Sequence, residues 1–315
     1  MMIMIFSDVK KNGFELVGKG REMAGASGGS VTAVLTGKNA EADSLEYIHH
    51  GADKVITAGA GMENFKAEEV ADILAQAAKN ESPDLVLIAS TKNGKELAPR
   101  LAARLEAGCS TDCSNIYMDG GDVITERVVY SGNAVAVQKF ESKPAIATIP
   151  GKVFDPLPKD EGRIGEVLKL DSSPGEYASK ILEVQKMISE GVNVEDAEII
   201  VSCGRGFKNS GDIKLIEELA DTLHGTTLGC SRPIAADLKW LSEDHWIGLS
   251  GHKVKPKLYI ACGISGQIQH VAGMRDSGII VAINKDPDAP IFEVADYGIA
   301  GDLYEVVPAL TEALR

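Results

Sequence analysis

Short apolar runs alternate with amphipathic stretches along the first part of the chain. VTAVLTG (31–37) and DLVLIAS (84–90) are apolar without a break, which is typical of strands buried on both faces of a parallel sheet. Between them, KAEEVADILAQAAKN (66–80) has its apolar residues at helical spacing. The alternation predicts a doubly wound α/β domain, because parallel strands need a crossover between them. The predicted strands are 31–37, 53–58 and 84–90, and the predicted helices are 40–52, 66–80 and 94–108.

The pattern changes after residue 122 and then resumes. Residues 123–149 predict two or three antiparallel strands, and the Pro- and Gly-rich residues 150–175 predict a linker or an extended excursion. A helix is predicted over 176–191. A second α/β unit follows, with strands predicted at 198–206, 226–233, 257–266 and 278–286 and helices at 213–225 and 303–315. The sequence therefore predicts two mainly parallel α/β domains, 1–191 and 192–315.

Charge and composition exclude several classes of function. The net charge of −14 repels phosphate backbones, so nucleic acid is not an expected partner. No apolar run approaches the roughly 20 residues of a membrane span, and the N-terminal MMIMIFSDVKKNG lacks the basic start of a signal peptide. Five cysteines, an odd number, predict reduced thiols and a cytoplasmic protein. Cys109 and Cys113 have no second ligand pair at zinc-like spacing, so we interpret them as packing residues and predict no metal.

Polar and glycine-rich segments follow the predicted strands of the second unit. In open α/β sheets ligands bind at the carboxyl ends of the strands, and glycine lets the backbone approach a phosphate closely. The segments are Gly204-Arg205-Gly206, Ser231-Arg232, Ser250-Gly251, Gly263-Ile264-Ser265-Gly266, Asn284-Lys285-Asp286 and Asp302. They predict a nucleotide or dinucleotide site, although neither the dinucleotide fingerprint nor a P-loop is present. Ordinary turns remain the alternative for each glycine taken alone.

The combined pattern is more specific than its parts. Residues 258–284, LYIACGISGQIQHVAGMRDSGIIVAIN, resemble the signature of the electron-transfer flavoprotein alpha subunit along their whole length. The similarity extends to residues 204–233 and 284–314, and in the first domain to GKELAPRLAARLEAGCSTDC and SGNAVAVQ. It covers nearly all of 30–315. The resemblance implies an adenine-nucleotide-hydrolase-like scaffold domain, followed by a Rossmann-like or flavodoxin-like domain that binds FAD and moves about a hinge after residue 190.

The resemblance also implies roles for individual residues. Arg232 is expected over the isoalloxazine ring beside Ser231, with the Ser250 hydroxyl at flavin N5. His270 is expected at the N1/C2 carbonyl edge, as a protonated or hydrogen-bond-donating imidazole. The contacts expected along the ribityl chain and pyrophosphate are Ser265, Gly266 and Gln269, and those at the phosphate and adenosine end are Arg205, Asn284 and Asp302. The rest of the implied cofactor-binding set is Leu249, Gly251, Gly263, Gln267, Lys285 and Leu303.

The expected function is electron transfer by one FAD, with a beta subunit that holds AMP. Electrons would pass from an acyl-CoA-type dehydrogenase to a quinone-linked oxidoreductase or another acceptor. One alternative is a bifurcating complex with a second FAD in the beta subunit, which oxidises NADH and reduces ferredoxin and a high-potential acceptor. Another is a nucleotide-binding regulatory module without redox use.

The sequence departs from the family at 248–251, where Gly-Leu-Ser-Gly replaces Gly-Gln-Thr-Gly, so Leu249 cannot supply the hydrogen bonds of the usual Gln.

Overall fold

The chain divides into two compact units, Met1–Leu182 and Glu183–Arg315. The computed structural model describes residues 1–25, 28–59, 61–171, 175, 177, 179–185 and 192–315. Over these residues, no helix combines the length and the apolar character needed to cross a membrane.

The described residues of the first unit form ten strands and four helices. The strands are Met2–Phe6 (β1), Ser30–Thr36 (β2), Lys54–Ala58 (β3), Leu85–Ala89 (β4), Cys109–Ser110 (β5), Cys113–Asp119 (β6), Asp122–Val129 (β7), Ala134–Lys139 (β8), Ala145–Ile149 (β9) and Glu166–Lys169 (β10). The helices are Lys10–Gly25 (α1), Ala40–His49 (α2), Ala67–Glu81 (α3) and Lys92–Leu105 (α4).

A parallel sheet with the strand order β10-β3-β2-β1-β4-β9-β5 forms the centre of this unit. Apolar side chains cover both of its faces and make two buried clusters, as the continuous apolar runs predict. The strands and helices predicted between residues 31 and 108 are confirmed, with shifted ends for α4. This helix begins before Gly94 because the Thr91 hydroxyl accepts the Gly94 N–H at 2.9 Å. It ends at Leu105, since the next residue, Glu106, is left-handed with a φ of 51°.

Four predictions for this unit need correction or addition. The sequence analysis missed β1 and α1. In 123–149, β7 is antiparallel to β6 and β8, whereas β9 joins the parallel sheet. The excursion over 150–175 carries the edge strand β10, and the buried carboxylate of Glu15 accepts the Lys152 N–H at 2.7 Å. The helix predicted over 176–191 is wrong at residues 179–185, which are not helical. Residues 176, 178 and 186–191 lie outside the described residues, and so does the predicted hinge after residue 190.

The second unit is a doubly wound parallel sheet. Its strands over the described residues are Ile199–Cys203 (β11), Thr226–Cys230 (β12), Leu258–Cys262 (β13), Ile279–Asn284 (β14) and Tyr297–Ala300 (β15), and its helices are Lys214–Thr222 (α5), Ile268–Met274 (α6) and Leu303–Leu314 (α7). The sheet order is β12-β11-β13-β14-β15. Numbered within the unit this is 2-1-3-4-5, the flavodoxin-like order, and the direction of winding reverses between β11 and β13.

Gly94 offers a test of how closely α4 packs on the first sheet. A Cβ at this position would lie 1.8 Å from the Ala89 carbonyl oxygen. We expect Gly94→Ala to lower the free energy of unfolding by about 1–3 kcal/mol, because backbone atoms must move to relieve the overlap. Urea unfolding followed by circular dichroism measures the change.

Gly25→Ala is the matched control, since a Cβ at the end of α1 meets no atom of the described residues within 4 Å. We expect this variant to be as stable as the parent chain or slightly more stable, because alanine favours the helix. Equal losses in both variants would contradict the packing assigned to Gly94.

Candidate functional site

The carboxyl ends of β11 and β13 meet through their backbones at the point where winding reverses. The Gly204 N–H donates to the Cys262 carbonyl and the Gly206 N–H to the Gly263 carbonyl, both at 3.0 Å. A Cβ on Gly204 would lie 2.4 Å from the Gly263 oxygen, and Gly263 has a φ of +64°. Only glycine permits this approach, so the two loops, whose contact we call the cradle, pack directly against each other at the edge where α/β sheets bind ligands.

Neighbouring residues hold the β13 loop in place. Gly266, with a φ of +85°, lies so close to Ile291 that a Cβ would be 2.1 Å from its nitrogen. The Asn284 amide donates to the Ile264 carbonyl at 2.9 Å. The Asp302 carboxylate accepts the Tyr304 N–H at 2.9 Å and so caps α7. Asn284 and Asp302 therefore hold the loops in shape. Part of their hydrogen-bonding capacity is already used by the backbone at this edge of the sheet.

The remaining predicted residues near the cradle differ in exposure. Leu303 is buried and packs against the glycine loops, so its side chain belongs to the core. The exposed members are Arg205, Ser265, Gln267, Gln269 and Lys285. These five supply charged, amide and hydroxyl groups at the surface beside the cradle.

Arg232 stands at the end of the adjacent strand. The Ser231 N–H donates to the Cys203 carbonyl at 2.9 Å, which joins this turn to the end of β11. The exposed guanidinium of Arg232 lies over the Trp246 ring, 5.7 Å from its centroid. The indole is partly buried against the core, so it restricts an otherwise mobile cation.

Residues 248–251, where Gly-Leu-Ser-Gly replaces the Gly-Gln-Thr-Gly pattern, pack on α6. The Leu249 N–H donates to the Gln269 carbonyl at 2.7 Å, and a Cβ on Gly273 would lie 2.5 Å from the Gly248 nitrogen. Leu249 is 53% exposed, and Ser250 is exposed beside it. This packing brings the Leu249–Ser250 turn to the part of α6 that carries His270.

His270 is the buried polar group of the site. Its ring Nε2 lies 2.9 Å from the Tyr259 hydroxyl, while Nδ1 has no hydrogen-bond partner among the described residues. Burial lowers the pKa of His270 to about 4, and the Ile247 backbone offsets that effect only in part. At neutral pH the imidazole is uncharged, so the donating form, and not the protonated form, agrees with this structure.

Three thiols lie in register beneath the site. Cys203 on β11 pairs with Cys230 on β12 and with Cys262 on β13, and all three are fully buried. Burial raises the pKa of each thiol, that of Cys203 to about 12. In the first unit, Cys113 is buried as predicted, but Cys109 is exposed, which corrects its interpretation as a packing residue.

The arrangement therefore combines the cradle, a restricted cation and a neutral buried imidazole. A cation at this edge of the sheet suits a ligand that carries or gains negative charge. Over the described residues no group of three His, Cys, Asp or Glu side chains is placed to hold a metal ion. Sequence analysis missed Tyr259 and Trp246, because an aromatic residue in or beside an apolar run is ordinarily a core residue.

Two family models match the chain. The "Electron transfer flavoprotein domain" matches residues 7–174, and the "Electron transfer flavoprotein FAD-binding domain" matches residues 193–275. The second match contains the cradle, Arg232 and His270.

Curated relatives match over most of their length. The "Electron transfer flavoprotein subunit alpha" of Thermoanaerobacterium thermosaccharolyticum is 42% identical, over 99% of this chain and 97% of the relative. The "Protein FixB" of Escherichia coli (strain 55989) is 36% identical, over 99% of this chain and 97% of the relative. The "Lactate dehydrogenase (NAD(+),ferredoxin) subunit LctC" of Acetobacterium woodii is 38% identical, over 94% of this chain and 72% of the relative. By these matches the chain belongs to the electron-transfer flavoprotein alpha-subunit family.

Proposed function

We propose that this chain is the FAD-binding subunit of a cytoplasmic, heterodimeric electron-transfer flavoprotein. In this role it carries electrons from an acyl-CoA-type dehydrogenase to a quinone-linked oxidoreductase or another acceptor. One observation carries the proposal: in a domain of the FAD-binding family, the exposed Arg232 guanidinium at the end of β12 lies over the Trp246 ring, 5.7 Å from its centroid. A permanent positive charge held in this position suits a cofactor that gains negative charge when it is reduced.

The residues of the second unit fit FAD. Gly204, Gly206 and Gly263 bring the ends of β11 and β13 into contact where winding reverses, which is the edge at which α/β sheets bind ligands. The residues proposed at the flavin ring are Ser231, Arg232, Leu249, Ser250, Gly251 and His270. Those proposed along the ribityl chain and the phosphates are Arg205, Gly263, Ser265, Gly266, Gln267, Gln269, Asn284, Lys285, Asp302 and Leu303.

FAD supplies the electron-carrying chemistry when it is bound. Arg232 contributes a permanent positive charge, which the Trp246 ring keeps in a restricted position. His270 is proposed to lie at the edge of the ring as an uncharged, buried imidazole. The charge of Arg232 favours added electron density at the ring, and neither group transfers a proton to it.

A bifurcating complex is the second candidate. The relative whose name includes NAD(+) and ferredoxin is 38% identical to this chain, and Leu249 departs from the usual pattern. In such a complex the beta subunit is proposed to hold a second FAD, whereas in an ordinary carrier it is proposed to hold AMP. The choice therefore depends on what the partner chain binds.

The first experiment measures flavin and nucleotide content after the chain is produced with its beta subunit. We expect FAD and AMP in equal amounts, one of each per heterodimer. Two FADs without AMP would establish the bifurcating candidate instead. A heterodimer without FAD would overturn the proposed function.

Arg232 is the first residue to test in the holoprotein. We expect Arg232→Ala to retain FAD and to lower its midpoint potential by about 30–60 mV, the equivalent of one charge-assisted interaction for a two-electron couple. Redox titration with a reference dye measures the shift.

The exposed Arg275, which follows the last residue of α6, is the matched control. Arg275→Ala removes the same charge from the same domain and should leave the potential nearly unchanged. An unchanged potential in Arg232→Ala, or equal shifts in the two variants, would contradict the role given to Arg232.

The neutral state of His270 predicts a pH dependence of stability. The pKa of about 4 in the folded chain lies below the ordinary value of 6.5, so the unfolded chain binds the proton first as the pH falls. The stability from this group is complete above about pH 6.5 and is lost on the way down to about pH 4. Relative to His270→Gln, the parent chain should therefore lose about 2 kcal/mol between pH 7 and pH 5.

Urea unfolding of both proteins at the two pH values measures this difference, and other titrating groups cancel because both proteins contain them. Identical losses in parent and variant would show that His270 is not held neutral by burial.

A further inference from the structure

Two turns of the second unit are proposed at the flavin ring. One is Ser231-Arg232 at the end of β12, which we call the arginine turn, and the other is the Leu249–Ser250 turn. Over the described residues, no hydrogen bond joins one turn to the other. A residue that contacts both turns is therefore needed to set the distance between them, and Trp246 is such a residue.

The main chain around Trp246 is attached to both turns. The Ile247 N–H donates to the Cys230 carbonyl at 2.9 Å, one residue before the arginine turn. The Trp246 carbonyl accepts the His252 N–H at 2.8 Å, which closes the loop that contains the Leu249–Ser250 turn. The indole therefore projects from a point that is fixed on both sides.

The indole contacts both turns as well. The Arg232 guanidinium lies over the ring, 5.7 Å from its centroid. A Cβ on Gly251 would lie 2.9 Å from the Trp246 Cγ and 3.0 Å from its Cδ1. Gly251 approaches the ring this closely because it has no side chain, so the pyrrole part of the indole packs directly on the end of the Leu249–Ser250 turn.

The contact with the indole leaves the charge of Arg232 available. Within the described part of the chain, the Arg232 side chain makes no ion pair and no hydrogen bond. A carboxylate partner would oppose its positive charge, whereas the face of an aromatic ring holds a guanidinium without neutralising it. The cation is therefore held in position and still presents its whole charge to a ligand.

We propose that Trp246 is a positioning residue, whose indole fixes the Arg232 guanidinium and the Leu249–Ser250 turn relative to each other and so places both at the bound flavin. The effect on flavin rests on the proposed function. The link between the two turns concerns this chain alone. The two parts can therefore be tested separately.

The first measurement uses the parent heterodimer with 15N-labelled arginine, prepared with FAD and after FAD depletion. The Nε–H resonance of Arg232 is assigned by its loss in Arg232→Ala. We expect this proton to lie upfield of the Nε–H of the exposed Arg275, because the indole ring current shields a group over its face. This measurement needs no variant of Trp246, so it holds even if such a variant fails to fold.

Trp246→Leu removes the ring from beneath the guanidinium. We expect FAD content to stay the same and reduced FAD to bind about two- to fivefold less tightly relative to oxidised FAD, the equivalent of one exposed cation–π contact. Redox titration detects this change as a lower midpoint potential. In the Arg232→Ala background the same substitution should change the potential no further, because its effect on the flavin is exerted through Arg232.

Trp240→Leu is the matched control, since Trp240 is partly buried against the same apolar cluster as Trp246. Both substitutions remove an indole from the edge of one core, but only Trp246→Leu should lower the potential. Trp246→Phe keeps an aromatic face beneath the cation and should recover most of the parent potential.

Hydrogen exchange in the FAD-depleted heterodimer tests the link to the second turn. The Gly251 N–H donates to the Gly248 carbonyl at 3.1 Å and the His252 N–H to the Trp246 carbonyl. In Trp246→Leu we expect both amides to exchange about tenfold faster, the equivalent of one hydrogen bond, because the ring that packs on the turn is gone. Trp240→Leu should leave both rates unchanged.

Each failure has a distinct meaning. An Arg232 resonance without the upfield shift, or a potential that is unchanged in Trp246→Leu or falls equally in Trp240→Leu, would overturn the positioning of Arg232 while the proposed function stands. A further fall in the Arg232→Ala background would do the same. Unchanged exchange would overturn the link to the Leu249–Ser250 turn. Absence of FAD from the parent heterodimer would overturn the proposed function, and the FAD-depleted measurements would still decide whether the indole holds the two turns.

Discussion

The site depends on the contact between two backbones. The loops that follow β11 and β13 come together at the reversal of winding, where Gly206 donates to Gly263 and neither position has room for a side chain. The strand ends, the start of α7 and the turn that leads into α6 are all arranged around this contact. A substitution there would separate the loops and displace groups that never touch the glycines themselves.

Around this contact the chain uses two opposite electrostatic solutions. Arg232 presents a permanent charge at the surface, and the Trp246 ring limits its movement without removing it from water. His270 gives up its charge because it is buried, and its Nε2 lies 2.9 Å from the Tyr259 hydroxyl. An exposed cation acts over a distance but is screened, whereas a buried donor acts only at contact and is not screened.

The sequence predicted the parallel strands well, since runs such as 84–90 are long, apolar and bounded by polar residues. It did not predict α1, where Gly13 and Gly18 weaken helical propensity, yet tertiary contacts with Tyr47 and Asp155 require glycine. The predicted helix over 176–191 fails at residues 179–185 for the converse reason, since apolar spacing alone provides no surface to pack against. Tyr259 could not be found in advance, because its partner is set by the packing of α6 against β13.

The three cysteines in register across β11, β12 and β13 have a chemical consequence of their own. Sulfur reacts as thiolate, and burial keeps Cys203, Cys230 and Cys262 protonated far above neutral pH. Beneath a site proposed to pass electrons, such thiols neither add to an electrophilic ring nor start along the path to sulfenic acid when oxygen is reduced nearby. The floor of the site is therefore redox-inert although it is built from the most oxidisable side chain available.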